Sequence, residues 1–89
     1  MLTEPEKDDL KKRLKKIAGQ INGIDKMLDE GRYCVDVVQQ ILAARAALNS
    51  VALIILESHA KSCVVAAIKE NRADQSIDEL MGVLKQFTK

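Results

Sequence analysis

The chain has 89 residues, 47% of them hydrophobic, with one Tyr, one Phe and no Trp. A domain this small has a marginal core, so we expect it to complete its apolar packing by oligomerising. Its formal net charge of +1 gives no global attraction to nucleic acid, and we find neither a signal-peptide pattern nor an apolar run long enough to span a bilayer. Residues 1–89 are therefore predicted to form one cytoplasmic domain without a membrane partner, in which the two cysteines are reduced.

A first helix is predicted to begin near Thr3, which has capping-box spacing with Glu6. Gly31 is well placed to end it. Between these points, apolar residues recur in steps of four and three, which makes a narrow seam for packing against another helix. The seam consists of Leu10, Leu14, Ile17, Ile21, Ile24 and Leu28.

The same helix carries five basic residues within six positions, and no acid occurs between Leu10 and Ile24. Four of the five avoid the seam and form a basic strip, Lys11, Lys12, Lys15 and Lys16. A charge run is usually only a solvated face, although such a strip can also bind DNA phosphates with salt-sensitive affinity. Because no helix-turn-helix, zinc-finger or basic-zipper pattern is present, DNA binding would need a surface assembled from several protomers.

No glycine or proline occurs between Arg32 and Met81. This favours a long second helix from about Tyr33 to Glu70, rich in aliphatic residues around much of its circumference. A helix that is apolar on more than one side must be buried by more than one neighbour.

A short third helix is predicted after an interruption at residues 71–75, because Ser76 and Glu79 have the spacing of a second capping box. The predicted fold class is therefore all-α, with a three-helix protomer.

Cys34, His59 and Cys63 lie on the predicted second helix. On a helix that rises about 1.5 Å per residue, the two cysteines are roughly 43 Å apart, too far to share a metal or a disulfide within one chain. His59 and Cys63 are one turn apart on one face. If two copies cross antiparallel, Cys34 of one meets His59 and Cys63 of the other. Two thiolates and one imidazole suit Cu(I), whereas Zn(II) in a closed structural site would require a fourth ligand.

Each of these residues also has an ordinary interpretation, since a lone His is often a surface residue and a buried Cys is often a small hydrophobe. Tyr33 could donate a hydrogen bond near the pocket or could simply plug the interface at the helix start. Glu79 could fix the tautomer of His59, or could serve only in the capping box.

With these residues identified, the chain resembles the copper-sensing operon repressor (CsoR) family, which also contains nickel/cobalt, formaldehyde and persulfide sensors. Residues 13–24 and 26–28 match the family's first-helix signature, and residues 33–37 and 40–44 match the start of its second helix. Cys34, His59 and Cys63 occupy the three sensor positions at the expected spacing.

The resemblance implies a disc-shaped tetramer, built as a dimer of antiparallel dimers, that occupies double-stranded operator DNA when it is metal-free. Cu(I), one per protomer at an intersubunit site, would lower its DNA affinity and derepress copper-efflux genes. The implied metal ligands are Cys34, His59 and Cys63. The residues implied to transmit the metal-bound state are Tyr33 and Glu79. The residues implied to face DNA are Arg13, Lys15, Lys16 and Gln20.

Two positions depart from the family pattern, since Ala18 stands where Glu is common and Asn22 where Arg is common. The missing Arg removes a potential phosphate or guanine contact, so operator affinity or sequence can differ from that of relatives.

Three other interpretations stay open. A persulfide or thiol-redox-sensing repressor would link Cys34 and Cys63 of different chains, although such relatives generally lack the sensor His. A nickel-responsive relative would need a fourth ligand other than His, because His59 is the only His. A copper carrier without a DNA role would be expected to hold many thiols, whereas this chain has two.

An enzyme is not predicted, because no nucleophile, base and acid group together within one protomer.

Overall fold

The computed structural model describes residues 2–87, apart from the side chains of Ala73 and Phe87. The chain forms three helices, α1 (Glu4–Asp29), α2 (Cys34–Lys69) and α3 (Ala73–Phe87), and no strand occurs among the residues described. The predicted all-α, three-helix protomer is confirmed. Within the chain, Thr3–Ala52 forms one compact unit, and a second compact unit begins at Leu53. That residues 1–89 act as one domain stays a prediction.

The first helix starts at the predicted capping box. The backbone N–H of Glu6 donates to Oγ1 of Thr3 at 3.3 Å, and the backbone N–H of Thr3 donates to Oε1 of Glu6 at 3.2 Å. Pro5 lies in the first turn, where its missing N–H removes no intrahelical hydrogen bond. The sequence signal and the local structure therefore agree at this terminus.

Gly31 ends the first helix in the left-handed region, at φ +64°. Its N–H donates to the carbonyl of Leu28 at 3.2 Å, and the N–H of Arg32 donates to the carbonyl of Met27 at 3.0 Å. These bonds satisfy carbonyls that the helix leaves without a partner. The reversal into α2 thus depends on a backbone conformation that residues with a Cβ adopt at a cost.

The interior of the first unit is built from residues of α1 and the first half of α2. Its buried apolar residues are Leu10, Ile17, Val37, Ala44 and Val51. The rest of the predicted seam is poorly covered, since Leu14, Ile21 and Leu28 are 44%, 51% and 63% exposed. Only two of the six seam residues are therefore buried within one chain. Ile24 is half-buried, and the other three are surface available to another helix.

Along α2, many aliphatic side chains are exposed. In the first unit they are Val35, Val38, Ile41, Leu42 and Leu48. By length and composition alone, α2 could cross a membrane. The sequence analysis did not predict this, because a continuous apolar run such as residues 51–56 is too short to span a bilayer. A helix that is apolar on several sides is equally typical of the centre of a helical assembly.

The second unit contains the rest of α2 and α3, joined by a left-handed residue, Asn71, at φ +60°. The N–H of Asn71 donates to the carbonyl of Ile68, and the N–H of Arg72 donates to that of Ala67. Asn tolerates this conformation better than most residues with a Cβ. The chain therefore re-enters a helix almost at once.

The predicted start of the third helix at Ser76 is wrong. The helix begins at Ala73, and the N–H of Ser76 already donates to the carbonyl of Arg72 at 3.1 Å. Because residues 70–72 are enough for the turn, the helix starts four positions earlier than a capping box at Ser76 would place it. Ser76 is consequently a buried helical residue, 5% exposed, rather than a cap.

We expect Gly31→Ala to lower the free energy of unfolding by about 1 kcal/mol, because alanine must adopt the left-handed conformation that glycine adopts freely. Gly31→Asn, which tolerates positive φ, should cost less. Urea unfolding of the three proteins at one fixed protein concentration measures both values. Equal losses for the two variants would show that the backbone conformation is not the cause.

Candidate metal centre and nucleic-acid interface

The second unit contains a cavity of about 120 Å³ in which two of the predicted ligands meet. His59 and Cys63 reach it from successive turns of α2, as their spacing predicted. Both side chains are half-buried. The complete lining is Leu56, His59, Cys63, Ser76, Glu79, Leu80 and Val83.

Glu79 comes to this cavity from α3 and is exposed to solvent. It therefore lines the same cavity as His59, and its role as the carboxylate partner of a metal-binding imidazole stays a prediction. Its other predicted role, in a capping box with Ser76, is excluded by the true start of α3.

Ser76 is a residue of the site that the sequence analysis assigned elsewhere. Its Oγ lies 3.3 Å from Sγ of Cys63, and either atom can be the donor. The available signal was the helical periodicity of α3, because Ser76, Glu79, Leu80 and Val83 recur at the spacing of one helix face. The apparent cap concealed that pattern.

Cys34 and Tyr33 belong to the first unit, at the start of α2. Cys34 is a free, exposed cysteine, and the Tyr33 side chain is 69% exposed. The carbonyl of Tyr33 accepts the N–H of Val37, so the backbone of this residue already belongs to the first turn of α2. Both side chains are accessible to another protomer.

Among the residues described, no group of three or more His, Cys, Asp or Glu side chains is arranged to hold a metal ion. What one chain does provide is a paired imidazole and thiol in one cavity and a second, exposed thiol in the other unit. Thiolate and imidazole donors favour soft or borderline ions over hard cations. Two thiolates and one imidazole fit Cu(I), and that the second thiolate comes from another chain stays a prediction.

A larger concavity, about 640 Å³, lies in the first unit, and its charged lining residues are mainly basic. Its cationic residues are Lys12, Arg13 and Lys16, while α2 contributes Ala47 and Ser50. We call it the basic groove. Its full lining is Asp9, Lys12, Arg13, Lys16, Ile17, Gln20, Ala47 and Ser50.

The basic groove contains three of the four residues predicted to face DNA, Arg13, Lys16 and Gln20, whereas Lys15 is exposed outside its lining. Within the groove, Nε of Arg13 lies 3.0 Å from Oδ2 of Asp9, one helical turn away. This exposed ion pair contributes little to stability. The sequence analysis identified the basic residues of α1, whereas the contribution of α2 to the groove is seen only in the structure.

Comparison with known proteins identifies the family. A sequence model of the metal-sensitive transcriptional repressors matches residues 6–86. The chain belongs to this family, which confirms the class of protein that its first-helix signature and sensor positions indicated.

Two characterised relatives are copper sensors by name. The copper-sensing transcriptional repressor CsoR of Bacillus subtilis is 51% identical over 84 residues, which cover 94% of this chain and 83% of the relative. The copper-sensing transcriptional repressor RicR of Mycobacterium tuberculosis is 46% identical over 65 residues, covering 73% of this chain and 68% of the relative.

Two solved structures share the fold. The copper-sensing repressor CsoR with Cu(I) from Geobacillus thermodenitrificans superposes with a TM-score of 0.88 at 47% identity, over 100% of this chain and 93% of that one. The nickel-responsive transcriptional regulator InrS superposes with a TM-score of 0.77 at 38% identity, over 90% of each chain. Both copper and nickel regulators are thus built on this helical protomer.

Proposed function

We propose that this chain is a Cu(I)-responsive transcriptional repressor of the cytoplasm, which binds operator DNA when metal-free and is released by Cu(I). The observation that carries the proposal is the half-buried pair of His59 and Cys63 in one cavity, together with an exposed Cys34 on the same helix. The similarity to a Cu(I)-bound repressor over the whole chain supports it. The proposal involves no catalytic step.

In this proposal, Cys34 of one protomer and His59 and Cys63 of its partner hold one Cu(I) per protomer. Two thiolates and one imidazole provide the three-coordinate, soft environment that Cu(I) prefers. Tyr33, which precedes Cys34, and Glu79, which shares the cavity of His59, flank the ligands and transmit the bound state. The exposed aliphatic surface of α1 and α2 supports burial against further copies, in a dimer and then a tetramer.

The DNA-binding surface in this proposal is the basic groove, with Arg13, Lys16 and Gln20 facing the duplex and Lys15 beside them. Lysine and arginine bind phosphates and release counterions, which supplies affinity without a recognition helix. Grooves of several protomers in one assembly would add their contributions. Copper then weakens DNA binding, and DNA must weaken copper binding by the same factor.

A second candidate is a nickel-responsive repressor, and the similarity to InrS is the observation that supports it. Ni(II) takes square-planar nitrogen and sulfur ligands, so a fourth donor would have to join the two thiolates and the imidazole. Because His59 is the only histidine, that donor would be another type of group. The donor set therefore favours Cu(I).

We expect an anaerobic Cu(I) titration against a competing chelator to give one tight site per protomer, with X-ray absorption showing two sulfur ligands and one nitrogen ligand. His59→Ala should lose the nitrogen ligand, keep much of the affinity through two thiolates, and release DNA poorly at saturating Cu(I). A four-coordinate Ni(II) site of higher affinity would favour the nickel alternative. A sulfur-only site unaffected by His59→Ala would favour a sensor of reactive sulfur.

Mixing two defective variants tests whether the site lies between protomers. Cys34→Ala and Cys63→Ala should each bind Cu(I) weakly. In an antiparallel dimer that contains one of each, one of the two sites keeps all its ligands, so random mixing should restore about a quarter of the wild-type sites. Refolding the variants together and repeating the titration measures this fraction. No restoration would contradict an intersubunit site.

Lys16→Ala should weaken binding to operator DNA several-fold and reduce the slope of log affinity against log salt by about 1 per lost contact. Lys7→Ala is the matched control, since it removes an equal charge from an exposed position of α1 outside the basic groove. Fluorescence anisotropy at several salt concentrations measures both slopes, and Cu(I) affinity should stay unchanged in both variants. Equal DNA affinities for the two variants would exclude the groove as the DNA-binding surface.

A further inference from the structure

Ser76 is the one buried polar residue among the residues described, and it contacts a proposed metal ligand. Its side chain is 5% exposed in the second unit, and its Oγ lies 3.3 Å from Sγ of Cys63. Both residues line the cavity that also contains His59 and Glu79. A buried hydroxyl is costly unless it forms a hydrogen bond, so this contact accounts for a serine at an interior position.

The chemical state of Cys63 decides which atom donates in this contact. In the free thiol, either group can donate to the other. A metal-bound thiolate has no proton and can only accept, so the Ser76 hydroxyl must then be the donor. Hydrogen bonds to a charged acceptor are stronger than those between neutral groups. Metal binding therefore strengthens a contact that joins α2 to α3.

We propose that Ser76 is a positioning residue of the metal site, which orients the Cys63 sulfur and couples ligation to the placement of α3. This inference rests on the proposed Cu(I) function. Ser76 lies in the first turn of α3, where its backbone N–H donates to the carbonyl of Arg72. Its hydroxyl thus connects the ligand to the helix that also carries Glu79.

Two features allow the role of the hydroxyl to be tested separately from simple packing. First, the contact is between a hydroxyl and a sulfur atom, so an apolar residue of equal size would fill the space without supplying the hydrogen bond. Second, threonine keeps the hydroxyl on Cβ and adds only one methyl group to serine. The hydroxyl can therefore be removed or kept in separate variants with little change to the surrounding packing.

The test compares three variants in the anaerobic chelator competition with the full-length protein. Ser76→Ala should weaken Cu(I) binding about tenfold, since it removes a hydrogen bond to a charged ligand. Ser76→Thr keeps the hydroxyl and should bind within about threefold of the wild type. Ser62→Ala is the control, because it makes the same chemical change at an exposed residue adjacent to Cys63 in sequence, and its affinity should equal that of the wild type.

Amide hydrogen exchange provides a second measurement. Cu(I) should slow the exchange of α3 amides in the wild type and in Ser62→Ala, and should slow it much less in Ser76→Ala. A purely structural role would change the free energy of unfolding of the metal-free protein but leave Cu(I) affinity and the Cu(I)-dependent protection of α3 unchanged. Urea unfolding of each metal-free variant separates these two effects.

Wild-type affinity in Ser76→Ala would overturn the inference, as would Ser76→Thr binding as weakly as Ser76→Ala. In either case, tight binding by the wild type and by Ser62→Ala would leave the proposed Cu(I) function standing. If the wild type itself fails to compete for Cu(I), the proposed function and the role of Ser76 are overturned together.

Discussion

The long central helix, α2, leaves much of its apolar surface exposed within a single chain. A helix satisfies its own backbone hydrogen bonds, yet residues such as Val38, Ile41 and Leu42 are about half exposed within a single chain. The described part of one chain contains only a few buried apolar residues. The protein is thus organised around surfaces that another copy can bury, and a metal site divided between copies is consistent with that organisation.

In the candidate metal site, simple helical geometry brings residues of two helices to one cavity. Spacing of one turn puts His59 and Cys63 at one cavity, and the left-handed turn at Asn71 returns the chain so that α3 supplies Ser76 and Glu79. The two cysteines remain in separate compact units of the protomer. A soft metal ion that joined ligands from two chains, as proposed, would couple metal binding to the arrangement of the assembly.

Local signals in the sequence predicted the three helices and the position of His59, Cys63 and Glu79 on them, whereas contacts between helices could not be predicted. The two ends of α1 were predicted correctly from the capping box of Thr3 with Glu6 and from Gly31, because capping depends on residues close in sequence. The same capping pattern failed at Ser76, since one left-handed residue, Asn71, let the helix start earlier. The Ser76–Cys63 contact and the α2 wall of the basic groove arise from packing between helices, which no spacing within one helix specifies.

The scarcity of aromatic residues has a spectroscopic consequence. With one tyrosine and no tryptophan, the intrinsic ultraviolet emission of the protein comes essentially from Tyr33. This ring is 69% exposed and directly precedes Cys34 in the chain. Its emission thus reports on a single position, next to one proposed ligand and at the start of the helix that carries all three. The natural protein already contains a site-specific optical probe.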